Sequence, residues 1–415
     1  MNDIPLRRNR DFVLLQVGQA LSTIGSQSSS IAYPLLVLAT THSPAKAGVV
    51  GFANIAPYAI FALFAGVAAD RWDRKQVMIA MDTVRVLAMV SIVVVYALGK
   101  LTFAQIAIVA FVEGSAFVFF NVAEVGALRS VVPARQLPDA AAAEQARVST
   151  VTLAGPPLGG ALFGLGRSLP FLADAVSYVF SVVSLIAMKT PFQESRPRDP
   201  APMRTQIKEG IAWLWGQPFL RTGAVIFSGN NFVFQALYLV LIVVGRRQGL
   251  SSGELGGLVA AFGVASLAGS LVSPRVSRAL SVRGIMLLNQ WVFACFVLFL
   301  VDTNVYVLFA CVIPVAIVSP WLNAVVIGYR TAVTPDHLIG RVSSVARNIA
   351  LLSQPLGPLV AGLLLASFSP RLTVSVFAAV CIALAVWSTV SPSIRRAPSL
   401  SELDDLPPRA GAVVG

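Results

Sequence analysis

Gly66-Val-Ala-Ala-Asp70-Arg71-Trp72-Asp73-Arg74-Lys75 separates two long apolar runs, 46–69 and 77–98. Three cations and two acids packed this closely belong in water, so the stretch reads as a loop between two segments that lie in hydrocarbon. Gly66 has no side chain to hold a neighbouring helix away. Asp70 has the chemistry of a helix cap or of an arginine partner, and either contact would hold the loop shut against its own bundle. Gly66, Asp70, Arg71, Arg74 and Lys75 are therefore expected to form a gating loop.

The same alternation runs along the whole chain. Its 415 residues are 56% hydrophobic and only 12% charged, half the charge of a soluble domain, which is about 25%. Mean hydropathy is +0.77. Soluble enzymes, disordered chains and secreted disulfide scaffolds are excluded. The expected spans are 12–39, 46–69, 77–98, 102–125, 148–166 and 170–188, then 219–243, 254–273, 283–301, 304–327, 347–367 and 371–391. Each has the roughly 20 apolar residues that cross hydrocarbon as a helix. Barrel strands would be half as long and would alternate in polarity.

Charge sets the orientation. Loops on the side of the termini carry 24 lysines and arginines and the opposite loops carry 6. Cationic loops stay in the cytoplasm, so a multi-pass protein of the cell membrane with both termini cytoplasmic is expected. This distribution also accounts for the net charge of +12. No basic helix or aromatic–basic sheet pattern points to nucleic acid. Leu6-Arg7-Arg8-Asn9-Arg10 resembles the start of a signal peptide, but the apolar run after it is too long and reads as an uncleaved first span. Cys295, Cys311 and Cys381 fall inside apolar runs and read as packing residues. His42 and His337 belong to loops on opposite faces, and no metal site or cofactor is expected.

The two halves echo each other at an offset of about 200 residues. Val132-Pro133 followed by Arg147 recurs as Thr334-Pro335 followed by Arg347. Pro157-Leu158-Gly159 recurs as Pro355-Leu356-Gly357, and Gly66 with its basic loop recurs as Gly269 before Arg275 and Arg278. A parallel six-helix repeat places a cavity near mid-membrane. The expected domains are a six-helix bundle over 1–190, a cytoplasmic linker over 191–218 with a short amphipathic helix, a second bundle over 219–395, and a disordered tail over 396–415.

The loop at 66–75 resembles the G-x-x-x-D-R-x-G-R-K/R signature of the major facilitator superfamily, with Asp73 where the family has glycine. In the second half only Gly269, Arg275 and Arg278 remain of it. Asp82-Thr-Val-Arg85 is similar to the D-x-x-R of the branch that holds bacterial siderophore and macrolide exporters. Gly155-Pro156-Pro157-Leu158-Gly159-Gly160 resembles the G-P-x-x-G-G motif shared by the family's proton-linked exporters. The resemblance implies an all-α integral membrane protein of twelve transmembrane helices in two six-helix repeats. Physically, proline removes a helix hydrogen bond and glycine permits close packing, so Gly155, Pro156, Gly159 and Gly160 mark a helix that bends at a contact between the halves.

Acids inside a bilayer are costly and so point to function. Glu113 lies near the middle of the fourth span, where desolvation favours its neutral form. It reads either as a proton carrier or as half of a buried ion pair, most simply with Arg85. Glu113, Asp82 and Arg85 are the proton-coupling candidates. Glu124, at the cytoplasmic end of the same span, is expected to serve the gate by pairing with Arg71, Arg74 or Arg129. Gln16, Gln19, Thr23 and Gln27 recur at helical spacing in the first span. Asn231, Gln235 and Tyr238 do so in the seventh, and Asn54 and Tyr58 share a face of the second. Such stripes suit a wet cavity for an amphipathic organic molecule.

No nucleotide-binding G-x-x-x-x-G-K-S/T occurs, so an ATP-driven pump is excluded. The expected function is export of a small organic solute (drug, siderophore or other metabolite) against protons by alternating access, in a functional monomer. The alternatives are an uptake carrier of the same fold, or a membrane enzyme or transport-dead scaffold. Membrane transferases would show D-D-x-x-D, which is absent here.

Overall fold

The computed structural model describes residues 5–192, 203–300, 302–335 and 338–396. Residues 193–202 of the expected linker, His337 and the tail beyond 396 lie outside them. In the described chain the first half forms α1 (Arg10–Thr41), α2 (Pro44–Arg71), α3 (Arg74–Ala97), α4 (Phe103–Val131), α5 (Leu137–Leu165) and α6 (Leu169–Ala187). A short α7 (Met203–Gly216) leads to α8 (Pro218–Arg247), α9 (Ser252–Ala279) and α10 (Val282–Phe293), which tightens into a 3-10 turn at Ala294–Leu300. Then come α11 (Val305–Val333), α12 (Ile339–Leu352), α13 (Leu356–Ser367), α14 (Pro370–Val390) and the short α15 (Pro392–Arg395).

Local chemistry sets these boundaries. Asn9 caps α1 by accepting from Phe12 N, Asp73 caps α3 through Gln76 N, Thr102 caps α4 and Ser281 caps α10. The Asp73 that departs from the family signature thus has a local use. Gly99 and Gly249, at φ 67° and 89°, turn the chain after α3 and α8. Among the described residues, eleven helical segments are long and apolar enough to cross a membrane, one fewer than expected. The helix α1 has 32 residues, ample length, but Gln16, Gln19, Ser22, Thr23, Ser26 and Gln27 dilute its apolar character.

The sequence predicts one unbroken span at 347–367. The structure instead divides it at Ser353–Pro355, between α12 and α13. Pro355 has no N–H to continue the ladder, and Ser353 Oγ turns to the Ser228 carbonyl at 2.6 Å. In α5 the helix runs through Pro156 and Pro157 without a break.

The chain divides into two compact units. The first comprises Met1–Pro197, Ile242–Gly263 and Pro358–Ser367; the second comprises Arg198–Leu241, Val264–Gly357 and Phe368–Gly415. Inside the first, α1 packs on α5 and α6, α2 on α4, and α3 on α4 and α6. Its helices are apolar outward and polar inward. On α6, Leu172, Val176, Phe180 and Val183 are exposed while Asp174, Tyr178 and Ser181 are buried, the pattern expected when lipid rather than water surrounds the protein. In the second unit α10 packs on α11 and α14, and α7 packs on α12. There Leu214 is buried, Gly210 meets the Arg341 backbone, and Glu209 pairs with Arg341. Ile211 and Trp215 remain exposed.

Candidate functional site

Five helices of the first unit converge on a buried charge cluster. On α3, Asp82 and Arg85 stand one turn apart and pair at 3.1 Å. The other terminal nitrogen of Arg85 reaches Glu113 Oε1 of α4 at 3.1 Å and Ser26 Oγ of α1 at 2.9 Å. Its guanidinium carbon lies 3.9 Å from the centroid of the Tyr178 ring on α6. Tyr178 donates to Glu113 Oε1 at 3.2 Å, and Asn54 Nδ2 of α2 donates to Oε2 at 2.7 Å. Asp174, one turn before Tyr178, sits against Ser29 at 2.6 Å. Arg85 is 2% exposed and Glu113 7%, while Asp82 and Asp174 are wholly buried. Asp82 Oδ2 and Arg85 Nε have no hydrogen-bond partner.

The proton-coupling candidates Glu113, Asp82 and Arg85 are thus brought together, with Glu113 in the ion pair to Arg85. Asp174 was not singled out in the sequence. Its signal was present: an acid inside the apolar run 170–188, with Ser177, Tyr178 and Ser181 following on one face.

A second network lies nearby. Glu124 pairs with Arg147 of α5 at 2.9 Å, not with Arg71, Arg74 or Arg129. Arg147 also reaches Thr23 Oγ1 at 3.2 Å. The expectation failed because α5 begins at Leu137, which carries Arg147 into the bundle rather than leaving it in a loop.

The expected loop is helical over most of its length: Gly66, Asp70 and Arg71 belong to α2 and Arg74 and Lys75 open α3, with only Trp72 and Asp73 between them. Lys75 Nζ donates to the Met188 carbonyl just past the end of α6 at 2.7 Å, where a cation meets the negative end of a helix. Arg74 Nη1 reaches the Phe192 carbonyl at 3.4 Å. Arg71 and Trp72 are exposed. A Cβ at Gly66 would meet open space, so close helix approach is not what this glycine provides here. The side chain of Asp70 lies outside the described ones.

The α5 motif faces two ways. Gly155 and Gly159 press on Gln27 and Ser28 of α1, and Ser28 Oγ donates to the Gly155 carbonyl at 3.0 Å. Gly160 presses on Ser252 and Gly256 at the start of α9, which in turn meets Pro156 and Pro157. In the second unit, Gly357 presses in the same way on Phe232 and Ala236 of α8. The Pro-Leu-Gly echo in the sequence is therefore also an echo in packing.

Of the cavity candidates, Gln19 is buried and donates to Ser181 Oγ at 3.2 Å. Thr23 bonds the Gln19 carbonyl and Asn231 bonds the Ala350 carbonyl. Gln16, Gln27, Tyr58, Gln235 and Tyr238 are half-buried. Asn54 is committed to Glu113.

The sequence profile of the Major Facilitator Superfamily matches residues 15–289 and 237–410. The chain belongs to the Major Facilitator Superfamily. It is a multi-pass secondary transporter of small substrates, not an enzyme. Relatives include the multidrug efflux pump Tap of Mycobacterium tuberculosis, 28% identical over 95% of both chains. The Tap of Mycolicibacterium fortuitum is 25% identical over 81% of this chain and 85% of that one. The staphyloferrin A transporter of Staphylococcus aureus is 21% identical over 78% and 81%. Among solved structures, a bacterial homologue of the human lysosomal transporter Spinster superposes with a TM-score of 0.71 at 14% identity, covering 95% of this chain and 98% of that one. The nucleoside transporter NupG gives 0.70 at 12% identity, covering 91% and 98%. At such identities the likeness concerns the fold.

Proposed function

We propose that this transporter moves a small amphipathic organic compound out of the cell in exchange for protons. It does so by alternating access between two six-helix repeats, 1–190 and 219–395, with both termini in the cytoplasm and the 66–75 loop as an inner gate. One observation carries the proton half of this reading. Asp82, Glu113 and Asp174 gather around the single cation Arg85 inside the first unit. A purely structural ion pair needs one acid per cation. Surplus buried carboxylates are expensive unless protonated, which is the chemistry of a group that takes up and releases protons. The outward direction is supported by the Tap and staphyloferrin relatives and by the motif of α5. The half-buried Gln16, Gln27 and Tyr58, in a unit where Phe61 of α2 packs on Phe111 and Phe119 of α4, suit an amphipathic molecule rather than an inorganic ion.

The test is a susceptibility panel of amphipathic drugs, dyes and siderophores in cells lacking and cells overproducing the protein, with and without a protonophore. Overproduction is expected to raise resistance to at least one compound class, and the protonophore to remove that resistance. Increased sensitivity would make the protein an uptake carrier. Resistance untouched by the protonophore would remove proton coupling.

A further inference from the structure

Building on the proton-coupled reading above, we infer that Asp174 is the residue on which the buried cluster holds its exchangeable proton, with Glu113 as the fixed anion of Arg85. The three acids differ in what surrounds them. Glu113 is ringed by donors: Arg85 at 3.1 Å and Tyr178 at 3.2 Å on Oε1, and Asn54 at 2.7 Å on Oε2. The Asn54 amide is oriented by a second contact, from its nitrogen to the Ala110 carbonyl at 3.4 Å, so it cannot turn its oxygen to an added proton. A proton on Oε1 would displace Arg85 or Tyr178, and one on Oε2 would have to share that oxygen with the Asn54 amide. Asp82 gives one oxygen to Arg85 at 3.1 Å in an ion pair on its own helix. A proton on Asp82 would cancel the charge that holds that pair.

Asp174 is different. It is wholly buried, and among the described residues no lysine or arginine comes within ion-pair distance of it. Its partners are hydroxyl groups. Ser29 Oγ lies 2.6 Å from Oδ2 and also 3.1 Å from the Ser26 carbonyl, yet it has one hydrogen to share between them. Ser177 Oγ lies 3.4 Å from Oδ1, with its hydrogen better placed on the Asp174 backbone carbonyl at 2.7 Å. Both protonation states are therefore accommodated without moving a heavy atom. As the anion, Asp174 accepts from Ser29. As the acid, it donates to Ser29, which turns its own hydrogen to the Ser26 carbonyl. Proton uptake forms one O–H bond and rotates one hydroxyl. Room for the carboxylate comes from α1, because a Cβ at Gly25 would lie 2.6 Å from Oδ1.

The groups facing this site are Ser26, Ser29 and Tyr33 from α1, Asn54 from α2, Asp82 and Arg85 from α3, Glu113 from α4, and Ser177, Tyr178 and Ser181 from α6. One cation stands among them. With Asp174 ionised the cluster holds three negative charges against one positive, and with Asp174 protonated the excess falls to a single charge. Protons in such a cluster belong to the group as a whole, and the hydroxyl geometry assigns their residence.

Infrared spectroscopy of the purified full-length protein reads this directly. A protonated carboxyl has a C=O stretch that an ionised carboxylate lacks. The difference spectrum of wild type minus Asp174→Asn at neutral pH is expected to contain one such band, shifted in heavy water, which disappears from wild type as pH is raised. Glu113→Gln removes a neighbouring anion and is expected to keep the band at acidic pH, losing it at a lower pH than wild type does. Ser29→Ala keeps the carboxyl but removes its partner, so the band is expected to move to higher frequency; this variant also serves if Asp174→Asn does not fold. No band in the difference spectrum, an unshifted band in Ser29→Ala, or absence of the band from Glu113→Gln at every pH overturns the assignment. Because no transport is measured, these outcomes are independent of the protonophore result above.

Discussion

The Arg85 guanidinium divides its donors among Asp82, Glu113 and Ser26 and lies 3.9 Å from the centroid of the Tyr178 ring. Three helices are tied together through that planar fork, and a lysine ammonium has neither the fork nor the flat face. Arg85→Lys is therefore expected to lose at least one charge-assisted bond, each worth about 1.5–3 kcal/mol. The acids released from it remain buried, and breaking such a pair outright costs about 3–5 kcal/mol. The measurement is the thermal melting of the detergent-purified variant, expected several degrees below wild type; an unchanged melting temperature would mean that the cluster does not hold the helices together. At this scale sequence reading finds the participants more easily than the partnerships. Asp82 and Arg85 share a helix face by their spacing alone. That Glu113 meets Arg85, and that Glu124 meets Arg147, depends on where separate helices cross.

At the scale of the element, α5 shows why a motif is more than its bend. The helix from Leu137 to Leu165 stays continuous through two prolines, and its glycines serve contact rather than flexibility. A Cβ at Gly159 would strike the Ser28 backbone, whereas one at Gly164 would meet nothing within 4 Å. Backbone cannot step aside as a side-chain tip can. Gly159→Val is expected to force α1 and α5 apart and to lower both melting temperature and transport. Gly164→Ala is expected to be tolerated, or to stabilise by about 0.5–1 kcal/mol through helix propensity. Equal effects of the two substitutions on melting, read in parallel, would refute the contact argument. The corresponding Gly357 follows a break, not a continuous helix, although the same Pro-Leu-Gly triplet precedes both packing sites. The added Ser353–Ser228 contacts at the break come from another helix, and no local pattern announces them.

For the whole molecule, the imbalance of 24 inner to 6 outer cations argues for cytoplasmic termini. A fluorescent protein fused after residue 415 is expected to fluoresce and an alkaline phosphatase fused there to stay inactive; the reverse pair of results would invert the orientation. Among the described residues, the buried charged side chains all lie in the first unit. Where α3 carries Asp82, α10 of the second unit carries Asn289, bonded to Asn230 at 3.3 Å and to Gln290 at 3.2 Å, all buried and uncharged. Hydrophobic length was legible because it is a property of contiguous chain: a run of apolar residues spans hydrocarbon whatever lies beside it. The α5 motif was legible for the same reason; that most of 66–75 belongs to α2 and α3 was not. Asp174 in the cluster, Arg147 as the partner of Glu124, and the open space at Gly66 were decided only in three dimensions. A buried charge takes its meaning from the groups within a few ångströms, and those groups come from helices far apart in the chain.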